Sequence, residues 1–124
     1  MPEKTFVLVV EDDTFYASVY RAKLAKEGFE IEVAENGDKA LERAKKRRPD
    51  LMLLDLIMPG KDGFETLADF RKEETLRDLK IIVLSNLSQE EDIARAKSLG
   101  ATEYVIKSNV SLEELMKKIK QYVA

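Results

Sequence analysis

The stretch Thr5-Phe6-Val7-Leu8-Val9-Val10-Glu11-Asp12-Asp13 decides how the rest of the chain is read. Thr5 to Val10 is a continuous, β-branched-rich run without polar alternation. Such a run suits a strand covered on both faces, as in a parallel sheet. Leu51-Met52-Leu53-Leu54 and Ile81-Ile82-Val83-Leu84 have the same character. Glu30-Ile31-Glu32-Val33 alternates instead, which places it at an edge. Tyr104-Val105-Ile106 reads as a fifth, shorter strand.

Amphipathic segments separate these runs. In the last one Leu112, Leu115, Met116, Ile119, Tyr122 and Val123 share one helical stripe. Its acids, Glu113 and Glu114, come early and Lys117, Lys118 and Lys120 later, as a helix dipole prefers. Ser111-Leu112-Glu113-Glu114 and Ser88-Gln89-Glu90-Glu91 both read as capping boxes. Gly28 and Gly100 stand where helices should stop, and a second helix should run from Asn36-Gly37 to before Pro49. The order is β-α repeated five times. Right-handed crossovers then give a single doubly wound α/β domain over residues 1–124, a parallel sheet with helices on both faces.

Composition narrows the chemistry. The 124 residues suffice for one domain, and an apolar fraction of 44% can fill a core. Lys and Arg number 21 against 24 Asp and Glu, a net charge of −3, so nucleic acid would meet no overall basic field. The cluster Lys45-Lys46-Arg47-Arg48 closes a helix, where cations favour the dipole, and is read as a solvated helix end. Cysteine and histidine are both absent. That excludes disulfides, thiol nucleophiles, imidazole bases and His-ligated metals. No apolar run approaches the length of a membrane span, and no signal-peptide core is visible, so a soluble cytoplasmic protein is expected.

The acids fall at informative positions. Glu11, Asp12 and Asp13 follow the first strand, and Asp55 ends the third. In an open parallel sheet the carboxyl ends of the strands face the ligand crevice. If the first and third strands are neighbours, Glu11, Asp12 and Asp55 converge there. Crowded carboxylates repel one another, and a set of oxygen ligands points to Mg2+ or a similar hard cation as the compensating charge. Asp13 taken alone is better explained as a helix N-cap. Ser85 and Lys107 end the fourth and fifth strands and would face the same crevice. Nucleophilic carboxylate, metal-binding acids, hydroxyl and ammonium together suit phosphoryl transfer onto Asp55.

Val9-Val10-Glu11-Asp12-Asp13, Leu53-Leu54-Asp55-Leu56-Ile57-Met58-Pro59-Gly60-Lys61-Asp62-Gly63, Ile81-Ile82-Val83-Leu84-Ser85 and Tyr104-Val105-Ile106-Lys107 together resemble the receiver domain of two-component response regulators (CheY-like). The resemblance implies a flavodoxin-like sheet of order 2-1-3-4-5. It implies Asp55 as phosphoacceptor, Mg2+ held by Asp12, by Asp55, by the Ile57 backbone carbonyl and by Glu11 through water, Lys107 as the phosphate-binding lysine, and Ser85 and Tyr104 as switch residues. It further implies a histidine kinase or phosphotransfer protein as donor, and a downstream protein target on the fourth helix, fifth strand and fifth helix. A stand-alone switch is expected, monomeric or weakly dimeric, with no direct DNA or membrane binding and no enzyme activity beyond its own phosphorylation and dephosphorylation.

The sequence departs from the family pattern in several places. Asn86 replaces the usual small residue, and is expected to narrow access to Asp55 or to add a hydrogen bond. Ser108 replaces the usual proline. A cis bond to a non-proline residue costs about 2.5–4 kcal/mol, so Lys107-Ser108 should be trans, with a locally shifted loop. Ile57 and Leu87 are apolar where relatives carry residues that position hydrolytic water, which implies a long-lived phosphoryl group. On the first helix Phe15, Tyr16, Val19, Tyr20 and Leu24 either form a broad core face or leave Phe15 or Tyr20 to dock the phosphodonor. Two other functions compete. One is a Mg2+-dependent phosphohydrolase, disfavoured because Ile57 stands where such enzymes need a second Asp and because no cap domain is present. The other is a passive adaptor.

Overall fold

The computed structural model describes residues 4–123. Five strands, β1 (Phe6–Val10), β2 (Glu30–Ala34), β3 (Leu51–Leu54), β4 (Lys80–Ser85) and β5 (Glu103–Ile106), alternate with five helices. These are α1 (Thr14–Lys26), α2 (Gly37–Lys46), α3 (Gly63–Lys72), α4 (Glu90–Ser98) and α5 (Leu112–Val123). Short 3-10 turns cover Glu74–Leu76 and Lys107–Asn109. All strand pairs are parallel, and the order is β2-β1-β3-β4-β5. The expected doubly wound topology is therefore present.

Alternate residues of each strand feed two separate cores. Leu8, Val10, Met52, Leu54, Ile81 and Val83 pack with Ala40 and Ala44 of α2, Phe64, Leu67 and Phe70 of α3, and Ala96 of α4. Val7, Val9, Leu51, Leu53, Ile82, Leu84 and Val105 pack with Tyr20 and Leu24 of α1 and Leu115, Met116 and Ile119 of α5. Burial on both faces explains the non-alternating runs. Each fully buried Leu, Ile or Phe contributes roughly 1.5–3 kcal/mol. β2 is half-exposed along most of its length and lies at an edge, as its alternation implied.

Caps set the helix boundaries. The Asp13 carboxylate accepts the amides of Phe15 at 2.9 Å and Tyr16 at 3.2 Å, so this acid is spent as the α1 N-cap. Asn36 and Asp62 cap α2 and α3 by accepting the amides of Lys39 and Glu65. The Ser111 box forms in both directions, with Glu114 N–H on Ser111 Oγ and Ser111 N–H on Glu114 Oε1, each at 3.1 Å. α1 and α4 end at Gly28 (φ +91°) and Gly100 (φ +104°), left-handed positions that favour glycine.

The expected box at Ser88 does not form. The N-cap of α4 falls one residue later, on Gln89, whose side chain caps nothing. Leu87, just before Ser88, is bound at both its amide and its carbonyl (below), which holds Ser88 outside the helix. Glu90, Glu91 and Asp92 serve the helix dipole in its place. On α1 the two docking candidates separate: Tyr20 is buried in the core, whereas Phe15 is 70% exposed. The basic cluster is engaged locally. Lys45 pairs with Glu73, Lys46 with Glu42, Arg47 with Glu30 while covering the Phe6 ring, and Arg48 donates to the Thr75 carbonyl. Among the described residues no helix is long and apolar enough to cross a membrane.

Candidate functional site

Strand register brings the site residues to one edge. Val10 lies beside Leu54, so Glu11 and Asp55 leave the sheet side by side. The Asp55 amide still donates to the Val10 carbonyl at 3.1 Å, and the Glu11 amide to the Ala34 carbonyl at 3.0 Å. Ser85 pairs with Ile106, so Lys107 leaves β5 at the same level. The topology thus gathers Glu11, Asp12, Asp55, Ser85 and Lys107 at the carboxyl edge of the sheet.

One oxygen from each of Glu11, Asp12 and Asp55 lies within 4.8 Å of the others. Glu11 and Asp55 are buried, and Asp12 is exposed. Lys107 Nζ donates to Glu11 Oε2 at 2.7 Å and reaches Asp55 Oδ2 at 3.4 Å. It also lies 4.1 Å from the centroid of the Tyr16 ring, a cation–π contact. Of the three clustered carboxylates, Glu11 and Asp55 contact this ammonium. Burial pushes the Glu11 carboxyl above its ordinary value, and the charge of Asp55 adds to this, despite the Lys107 hydrogen bond. Burial pulls the Lys107 ammonium down, but the carboxylates of Glu11 and Asp55 outweigh it and the net direction is up. Both directions reflect carboxylates held close together and partly out of water, with Lys107 bridging two of them. An all-oxygen donor set of this kind, partly open to solvent through Asp12, fits a hard divalent cation.

The backbone around Asp55 is tightly specified. Asp55 Oδ1 accepts the Ile57 amide at 3.3 Å, while the Ile57 side chain is 56% exposed. The Gly63 amide donates to the Leu56 carbonyl at 3.0 Å. A Cβ on Gly63 would lie 2.5 Å from both the Asp55 carbonyl oxygen and Leu56 Cα. Only glycine lets α3 begin this close to the acidic loop.

On the other side, Ser85 is fully buried and its Oγ accepts the Leu87 amide at 3.2 Å. Half-buried Tyr104 packs against the α2–α3–α4 core, and its hydroxyl donates to the Leu87 carbonyl at 2.5 Å. Burial raises the Tyr104 phenol. The Lys107–Ser108 peptide is trans, and the chain passes directly into the 107–109 turn. Exposed Asn86 takes up the expected hydrogen bond: its Oδ1 accepts the Ser108 amide at 2.9 Å. Sequence reasoning did not find the Tyr16 contact or the Gly63 constraint. The glycine of the Asp62-Gly63 pair was the one available signal for the second.

Comparison with known proteins agrees with this geometry. A family profile described as the response regulator receiver domain matches residues 7–120. The phosphate regulon transcriptional regulatory protein PhoB of Rhizobium meliloti is 36% identical over 114 residues, 92% of this chain and 50% of that protein. The chain spans about half the length of that curated relative. Among solved structures, the chemotaxis protein CheY4 of Vibrio cholerae superposes with a TM-score of 0.90 at 28% identity, covering 97% of this chain and 99% of that one. The BeF3-activated N-terminal receiver domain of Klebsiella pneumoniae RstA gives 0.88 at 28% identity, covering 95% and 97%. With the profile spanning most of its length and the acidic edge formed as the motifs require, the chain belongs to the response regulator receiver domain family.

Proposed function

We propose that this receiver is a cytoplasmic switch that takes a phosphoryl group onto Asp55 from a phosphohistidine of a histidine kinase or phosphotransfer protein. The observation that carries the reading is the convergence of Glu11, Asp12 and Asp55 on a shared site beside Lys107. An Asp55 carboxylate oxygen attacks phosphorus. The new O–P bond forms as the N–P bond of the donor breaks, and the departing imidazole nitrogen keeps the electron pair and takes a proton from solvent. Lys107 offsets charge on the phosphoryl oxygens, and the Ser85 hydroxyl, released from Leu87, donates to one of them.

Asp12, Asp55 and the Ile57 carbonyl would hold Mg2+, with Glu11 acting through water. The ion supplies charge neutralisation for the incoming phosphoryl group. Turning of Ser85 frees the Leu87 segment that Tyr104 grips, and so reshapes the α4–β5–α5 surface for a protein target. The exposed, apolar Ile57 and the half-buried Leu87 offer no polar group to orient water, which supports a long-lived phosphoryl-Asp55.

Intact-protein mass spectrometry after acetyl phosphate and Mg2+ tests the reading. One phosphoryl group should add to the wild type and none to Asp55→Asn. Failure of the wild type to take label would favour the passive adaptor. Decay of the labelled protein over many minutes is expected, and loss within seconds would contradict the water-exclusion argument.

A further inference from the structure

We infer that Asn86 is a positioning residue that ties the Ser85 loop to the Lys107 turn, so that the hydroxyl and the ammonium move as one unit. The inference rests on the phosphoacceptor reading of Asp55 and extends it to a residue that touches neither metal nor phosphate.

β4 and β5 are last paired at Ser85 and Ile106, and both strands then end. Past that point the backbone ladder offers no link. The Asn86 side chain continues it, since its Oδ1 accepts the Ser108 amide at 2.9 Å across 22 residues of sequence. Asn86 directly follows the hydroxyl residue, and Ser108 directly follows the lysine. A single side chain therefore spans the two strand ends that carry Ser85 and Lys107. The neighbouring tie, from the Tyr104 hydroxyl to the Leu87 carbonyl, grips the same loop one residue further on.

Both partners of the Asn86 bond are exposed, so it adds little to stability. Its effect falls on geometry. Lys107 Nζ is 2.7 Å from Glu11 but 3.4 Å from Asp55, so a small displacement of the 107–109 turn decides how well it serves Asp55. When the Ser85 hydroxyl exchanges Leu87 for a phosphoryl oxygen, Asn86 carries that shift to Ser108. Ser111, the cap of α5, lies three residues beyond.

The test compares wild type with Asn86→Ala, which loses the acceptor, and Asn86→Asp, which keeps it. Label uptake from acetyl phosphate with Mg2+ is measured as rate against donor concentration. Uptake is followed at about 1 M salt, where the Debye length of about 3 Å screens the added charge of Asn86→Asp. Asn86→Ala should lower the maximal rate about threefold with little change in half-saturating donor, as loss of one exposed hydrogen bond allows. Asn86→Asp should return most of that rate. In amide NMR, beryllofluoride should shift the Ser108 resonance in wild type and Asn86→Asp but not in Asn86→Ala. An Asn86→Ala protein with wild-type rate and a wild-type Ser108 response overturns the inference, as does an Asn86→Asp protein as slow as Asn86→Ala. If wild type takes no label and ignores beryllofluoride, the phosphoacceptor reading fails. The hydrogen bond is still read in that case, from the Ser108 resonance of the untreated proteins.

Discussion

The two ends of the sheet are built on opposite terms. At the amino edge, the charged side chains near the strand ends have partners, ionic or backbone. Asp50 accepts the Phe6 amide at 2.8 Å, Arg47 pairs with Glu30, and the Arg71 guanidinium reaches the carbonyls of Gly100, Leu76, Arg77 and Leu79. At the carboxyl edge, three carboxylates crowd together, the one lysine in contact reaches only Glu11 and Asp55, and burial raises the Glu11 carboxyl instead of lowering it. The first arrangement holds strand ends and loops together. The second crowds like charges beside the loop that follows β4. Stability is concentrated at one end and reactivity at the other.

The sharpest way to break this contrast is at Arg71. Among the described residues no carboxylate lies within ion-pair distance of it; burial pulls its ionisation down, the charge of Asp78 opposes this, and its hydrogen bonds all go to backbone carbonyls. Arg71→Ala should cost about 3 kcal/mol in urea unfolding, because several partly buried carbonyls lose their donor together. A loss under about 1 kcal/mol would mean that water replaces the guanidinium. At the other end, Mg2+ at a hundredfold excess over its dissociation constant should raise unfolding free energy by about 2.7 kcal/mol, an effect removed by chelation and largely lost in Asp12→Asn. Asp55→Asn should make the metal-free protein more stable, by about 1 kcal/mol, since it removes one of the crowded charges. Thermal melts in chelator will show it. Destabilisation would mean that the Lys107 pair outweighs the repulsion.

The smallest expected effect is at Glu103, whose carboxyl Lys118 and the Tyr122 hydroxyl hold below its ordinary value of 4.5. A depressed folded value gives stability that is present above the unfolded value and lost as pH falls through the folded one. Glu103→Gln should therefore lower the unfolding free energy at pH 7 by less than about 1 kcal/mol for so solvent-screened a group, and converge with wild type in acid. A difference that persists at pH 2 would point to packing instead of charge.

Much of the fold could be read from the chain because two-sided burial leaves a plain mark. Runs such as Leu51–Leu54 are apolar throughout, whereas edge strand β2 alternates. Strand order then brings the acids together, since residues that follow paired strands share an edge. Apart from the Lys107–Tyr16 ring contact, what escaped the sequence are contacts whose partner is backbone. Arg71 binds four carbonyls and Leu87 is held through both of its peptide groups; for Asn86 a hydrogen bond was expected but not its partner, the Ser108 amide. Any residue offers such groups, so no side-chain pattern announces them. Ser88 shows the same limit, because a valid capping motif lost its helix start to the contacts of Leu87. On α1 the amphipathic stripe could not tell buried Tyr20 from exposed Phe15.

The missing side chain at Gly63 has a mechanical consequence. With α3 seated against the Asp55 carbonyl, the acidic loop has backbone packed directly behind it. Past the end of β4 the opposite wall, Asn86 and Leu87, is tied to its surroundings by three single hydrogen bonds and the packing of Leu87 on the core. The two sides of the acidic crevice are thus built unequally, one on backbone pressed against backbone and the other on side-chain ties.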